Sequence, residues 1–268
     1  MLIADSEDRV ATFKVAFMTG ASIFVMGYIN AFSLNTNDLG TMITPQTGNV
    51  IWMGLNLASG YWGYFLENLG LFFGFMGGAM FALFTQALFK SKVHQFYYNW
   101  TVFALPLMLY PLILQYVIPS FISFFIIGFS SGAALGFFRK MYHMEINNAM
   151  ATGNVRFLGL HFAGAFIKGN KKEVVTFWIF FTCVLAFAAG AFFYAIFANM
   201  DYNLGLEGRG MIIGLGDHSV RMFRQTLGMG EYRIDIVSSN IVRYIGLLVF
   251  CIIPYFFCPK ATVAAEQK

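Results

Sequence analysis

Two short motifs, Thr47-Gly48-Asn49 and Thr152-Gly153-Asn154, are where this sequence could do chemistry. A threonine hydroxyl can cap the first backbone N–H groups of a helix, glycine permits a tight turn and close backbone approach, and an asparagine amide both donates and accepts. A helix that begins inside a bilayer leaves N–H groups that lipid cannot satisfy, and its N-terminus carries about half a positive charge. Such a tip must face protein, water or a ligand, and it suits an anion, a carboxylate or a polar neutral solute. The competing reading is that both motifs merely cap buried helix ends and pack.

The spacing between the motifs is informative. The offset of 105 from Thr47 to Thr152 also pairs Gly27 with Gly132, Gly54 with Gly159 and Ala58 with Ala163, without a gap. One register holding so many landmarks reads as two fused copies of one unit, 1–118 and 119–268. The copies differ in their ionisable groups, because Arg156 stands where the first copy has Ile51, and His161 where it has Asn56. Arg156 is a candidate anion contact that competes with snorkelling to headgroups, and His161 is a candidate polar contact for which a satisfied structural histidine is the favoured reading. Asn30, Ser33, Gln46 and Asn56 add polar groups to the same centre, with Ser130 and Ser131 from the second copy. No hydrolytic triad, metalloprotease motif or phosphate loop occurs, so neither an enzyme nor a cofactor is expected.

The elements that hold these motifs are set by composition. With 58% apolar and only 11% charged residues in 268, the chain has too few charges to solvate a globular surface, and it reads as a multipass membrane protein. The net charge of +4 is then loop charge, not a nucleic-acid footprint. Cys183, Cys251 and Cys258 lack metal or disulfide spacing. The start of the chain reads as a first membrane helix that stays, not as a cleavable signal.

Apolar runs fall at 15–34, 50–58, 66–89, 101–118, 121–138, 155–167, 174–198 and 241–257. The second and sixth, which follow the Thr-Gly-Asn motifs, are too short for a hydrocarbon core of about 30 Å. Loops 35–49 and 59–65 have no Lys or Arg, whereas 139–150 and 168–173 carry Arg139, Lys140, Lys168, Lys171 and Lys172. Each short segment should therefore return to its own side, the first outside and the second in the cytoplasm. The expected fold is all-α and membrane-integral: two inverted repeats, each of three spans and one re-entrant half-helix, with both termini cytoplasmic in the cell membrane. The rival is eight crossing helices in parallel repeats. Segment 199–237, outside the repeat, is placed on the outer face, with an amphipathic helix from Asp217 to Gly228.

The elements Gly27-Tyr-Ile-Asn-Ala-Phe-Ser and Gln46-Thr-Gly-Asn-Val, with Ala151-Thr-Gly-Asn-Val, resemble the YoaK-like family of uncharacterised bacterial multipass membrane proteins. The resemblance implies a six-span fold with transport suspected. Asn30 takes the place of that family's usual acid, which argues against proton coupling here. The expected function is a small-solute channel or secondary transporter for anionic or polar solutes. The alternative is a non-transporting scaffold or partner-binding subunit. The expected surroundings are the lipid bilayer, the solute, and a second copy or membrane partner meeting 199–237.

Overall fold

The computed structural model describes residues 6–36, 43–44, 46–86, 92–110, 118–141, 144–146, 151–167, 169–203 and 241–257. The helices are α1 (Ser6–Thr36), α2 (Gln46–Ala58), α3 (Trp62–Gln86), α4 (Lys92–Leu109), α5 (Ser120–Phe137), α6 (Ala151–Phe162), α7 (Lys171–Asn203) and α8 (Ile241–Phe257). A π-helical turn, Ala163–Ile167, continues α6. A two-stranded hairpin, β1 (Lys140–Met141) and β2 (Met144–Glu145), follows α5. Four helical stretches, Val15–Leu34, Trp62–Thr85, Ser120–Phe137 and Lys171–Ala198, are long and apolar enough to cross a membrane, and Val242–Phe256 is a shorter apolar helix. The amphipathic segment expected within 199–237 lies outside the described residues, except that α7 itself runs on to Asn203.

The long helices pack in two parallel pairs through glycine. Along α3 and α5, a Cβ on Gly70, Gly74 or Gly78 would strike backbone at Phe121, Phe125 or Phe129, so both helices ascend together. Along α1 and α7, Gly27 meets Phe187, and Gly190 meets Phe24 and Tyr28. Ala16 and Ile23 share a cluster with Phe180 and Cys183, while Tyr28 and Phe32 meet Tyr194 further on, so this pair is parallel too. A missing Cβ lets two backbones approach to contact, the ordinary adhesive of membrane helices.

The two pairs run in opposite directions. Thr19, early in α1, donates to the Lys140 carbonyl just past the end of α5 at 2.6 Å, and Ser131 Oγ lies 3.6 Å from Met26 Sδ. Trp100 and Phe103 of α4 meet Phe138 edge-on while Tyr110 reaches Phe124, which sets α4 against α5. Phe32 meets Tyr244 and Phe24 meets Phe250, which sets α8 against α1. Hence α1, α4 and α7 point one way and α3, α5 and α8 the other. Among the described helices, α1, α3, α4, α5, α7 and α8 alternate in direction in chain order, without α2 and α6 being counted.

Packing also divides the helices into two bundles, α2–α3–α4–α5 and α1–α6–α7–α8. The seam is crossed by Thr19–Lys140, Met26–Ser131 and the Trp100 indole N–H donating to the Cys251 carbonyl at 2.8 Å. Helix α4 starts at Lys92, so residues 92–100, which lie between the apolar runs 66–89 and 101–118, are helical. Their mixture of aromatic and polar types hides an apolar stripe whose anchor, Trp100, is fully buried.

Candidate functional site

Both short helices are inside out by the standard of a protein in water. The buried residues of α2 are Asn49 and Asn56, while Val50, Ile51, Leu55 and Leu57 are exposed. In α6, Asn154 is buried while Val155, Phe157, Leu160 and Phe162 are exposed. Polar groups turned inward and apolar groups turned outward are the arrangement that a lipid surround stabilises. Asn49 and Asn154 are 1% and 2% exposed, so the 105-residue pairing puts an equally buried amide one turn into each short helix.

The threonines and glycines of the motifs do not act as expected. The helices begin at Gln46 and Ala151, so Thr47 and Thr152 lie in the first turn, exposed, instead of at the cap. Proline ahead of Gln46 favours an early helix start, and Ala151 is itself a strong helix former. Among the described residues the glycines with positive φ are Gly60 and Gly169, which make the tight turns after α2 and the α6 turn. Gly48 is helical and a Cβ there would meet nothing within 4 Å. Gly153 is helical as well.

The tip preceding α2 is tied to α1 across the seam. Asn30 donates to the Thr44 hydroxyl at 2.7 Å and to the Met26 carbonyl at 2.7 Å, and its Oδ1 accepts from the Thr44 N–H at 3.2 Å. Gln46 donates to the Ile43 carbonyl at 3.4 Å and accepts from Asn49 at 3.5 Å. Asn30 thus ties Thr44 to α1, and Gln46 bridges the Ile43 carbonyl to Asn49 on the inner face of α2. Asn56 lies further along, with its backbone carbonyl accepting from the Tyr61 N–H at 2.8 Å in the turn into α3. Of the serines, Ser130 donates to the Phe103 carbonyl at 2.5 Å, and Ser33 is buried.

In the second copy His161 has found a partner that sequence reasoning missed. Its Nδ1 lies 2.5 Å from Glu173 Oε2, and its ring stacks on Phe180 at 5.5 Å with planes 6° apart. Gly164 leaves room for the Glu173 side chain, into which a Cβ would intrude at 2.8 Å. Arg156 is exposed on the outer side of α6, about 200° around the helix from Asn154 at 100° per residue. It is not gathered into the buried centre. Helices α2 and α6 pack on α3 and α7 respectively, with no extensive packing between them.

A buried cation was also missed. Arg243, 3% exposed in α8, donates to the Tyr194 hydroxyl at 3.4 Å and lies over its ring at 5.9 Å, while its carbonyl accepts from the Tyr28 hydroxyl at 2.7 Å. The available signal was an arginine two residues into an apolar run.

The apolar helices and inward-turned asparagines are those of a membrane protein. No curated protein and no solved structure matches the chain, so the narrower YoaK-like resemblance has no matching relative behind it. The DUF1275 family, protein of unknown function, matches residues 15–206, which take in both Thr-Gly-Asn motifs and both parallel helix pairs. The chain belongs to the DUF1275 family, whose function is unknown.

Proposed function

We propose that this protein is a small-solute channel or secondary transporter of the cell membrane, built as an inverted repeat and not an enzyme. The observation that carries the proposal is the alternation of the six long helices. Because α1 and α3 run oppositely, α2 between them makes no net crossing, and the same holds for α6 between α5 and α7. Eight crossing helices would make α1 and α3 parallel, so these contacts favour the half-helix reading.

The repeat reading rests on matched contacts. Gly27 on Phe187 and Gly190 on Phe24 and Tyr28 correspond to Gly132 on Phe75 and Gly78 on Phe129 and Ala133. Residues of α1 and α5 differ by 105 and those of α3 and α7 by 112. The extra seven residues fall in the π-helical turn and the Gly169-Asn170 loop. Helices α4 and α8 match as well, each with an internal proline, Pro106 and Pro254.

In this reading the solute passes along the seam between the bundles, where Asn30, Ser33 and Ser131 bring polar groups, and the buried amides of Asn49 and Asn154 order the two tips. Rocking of one bundle on the other opens the seam to each side in turn. Arg156, on the lipid side, drops out of the solute site. Basic residues at Arg139, Lys140, Lys171 and Lys172 support a cytoplasmic position for that end of the bundle, the end from which α1 starts and at which α8 finishes.

The test is flux in proteoliposomes over a panel of monocarboxylates, inorganic anions and neutral polyols. The doubly substituted Asn49→Leu, Asn154→Leu protein should lose at least about tenfold of any flux shown by the unsubstituted chain, the scale of two lost polar contacts of about 1 kcal/mol each. Unchanged flux would remove the asparagines from the pathway.

A further inference from the structure

We infer that His161 and Glu173 form a proton-binding latch: a proton on the imidazole holds the half-helix α6 against α7, and its loss frees α6 to swing. The inference rests on α6 being a half-helix, as proposed above, but not on solute flux.

The latch is made of direct contacts. His161 Nδ1 lies 2.5 Å from Glu173 Oε2, joining the last turn of α6 to the first turn of α7. The imidazole lies flat on Phe180 at 5.5 Å, and Phe157 lies 6.3 Å from it on α6. Between the two partners the chain passes through the π-helical turn Ala163–Ile167 and through Gly169 at φ 67°. A π-turn at the end of an α-helix is a frequent mark of a working site. The two side chains are 22% and 33% exposed, so protons reach them from water while most of each is shielded.

Protonation changes the charge of this pair. With a neutral imidazole it carries one net negative charge; with an imidazolium it carries none, and the hydrogen bond is ionised on both sides. An imidazolium is also attracted to the aromatic faces of Phe180 and Phe157. Each effect tightens α6 on α7, so the latch holds at lower pH and releases as pH rises. Imidazole is the side chain that ordinarily makes this change between about pH 5 and 8. The other described charges nearby are Lys171 and Lys172, exposed in the first turn of α7, and Arg156, exposed on α6. The hairpin, whose Met141 shares a cluster with Phe180, adds exposed Lys140 and the Arg139–Glu145 pair at 3.8 Å. Among the described residues, none of these makes an ion pair with His161 or Glu173.

The first copy lacks the device. Asn56 stands at the position of His161 by the offset of 105, and Tyr61 at that of Glu173 by the offset of 112. Neither an amide nor a phenol takes up a proton in that range. Only the second half-helix responds.

The experiment places spin labels on cysteines at Gly159, where a Cβ meets nothing within 4 Å, and at the exposed Met80. The full chain, freed of its native cysteines, is held in phosphatidylcholine nanodiscs, and the label-to-label distances are read at about pH 5.5 and about pH 8.5. The displaced α6 population should rise about tenfold at the higher pH, the gap between a charge-assisted and an ordinary hydrogen bond. It should not change with pH in His161→Asn, which copies the first repeat, or in Glu173→Gln. Distances that ignore pH in the parent chain, or a response that persists in either variant, would overturn the latch. Flux with pH-independent distances would remove the latch and leave transport standing, whereas a pH response without flux would support the latch and count against transport.

Discussion

Valine at Gly27 or at Gly132 should leave little folded protein, and the two substitutions should fail alike. At each position the added Cβ runs into a backbone carbonyl, that of Phe187 or of Phe75, and backbone cannot swing aside as a side chain can. The helices would have to part along their whole contact. Overpacking by a single methyl costs about 1–3 kcal/mol, and valine adds three carbons in a pair whose close approach supplies the packing. Against a typical total stability of about 5–15 kcal/mol, loss of the parallel pair is decisive. Gly48→Ala is the control: nothing lies within 4 Å, and alanine is favoured in a helix by about 0.8–1.0 kcal/mol. Fluorescence-detected size exclusion and a thermal melt read both. A folded Gly132→Val protein would mean that the α3–α5 approach is looser than described.

The second large effect concerns the seam. Ser131 Oγ and Met26 Sδ touch at 3.6 Å between α5 and α1, which belong to different bundles. Cysteines at both positions, in a chain freed of Cys183, Cys251 and Cys258 and bridged by a short bis-methanethiosulfonate that makes up the length lost from the methionine, should lock the bundles together. Flux should fall about tenfold or more on cross-linking and return on reduction. Equal flux in the cross-linked and reduced forms would rule out rocking. No flux in the reduced form, or in the parent chain, would instead count against transport itself, so the two failures can be told apart.

Much of this architecture is readable before folding, because a bilayer imposes length and hydropathy on each span. The runs at 15–34, 66–89, 121–138 and 174–198 correspond to the apolar stretches Val15–Leu34, Trp62–Thr85, Ser120–Phe137 and Lys171–Ala198 of α1, α3, α5 and α7 to within about four residues. The short segments at 50–58 and 155–167 fall on α2 and on α6 with its π-helical turn. What periodicity does not carry is partnership. Offset 105 aligns Gly27 with Gly132, yet nothing in it says that α1 packs on α7 of the other copy. His161 and Glu173 are twelve residues apart and meet only because Gly169 turns the chain back. The Thr44–Asn30 bonds likewise join a loop to a span fourteen residues earlier. Thr47 and Thr152 were misread as caps because hydroxyl identity is a weaker signal than the helix-starting tendency of the residues ahead of them. Sequence gives the position of Arg156 in α6 but not which side of the helix it faces, so it left an anion contact and snorkelling equally open; the side chain is exposed.

The most direct measurement is the sidedness of four single cysteines, at Ser6, Ser59, Lys140 and Asn170, labelled in intact cells and in inverted vesicles with an impermeant maleimide. The opposed helix directions predict that Ser6, Lys140 and Asn170 label from one face and Ser59 from the other. Ser6, Ser59 and Asn170 labelling together, with Lys140 opposite, would mean that α2 and α6 cross the membrane, and the half-helix account would be contradicted.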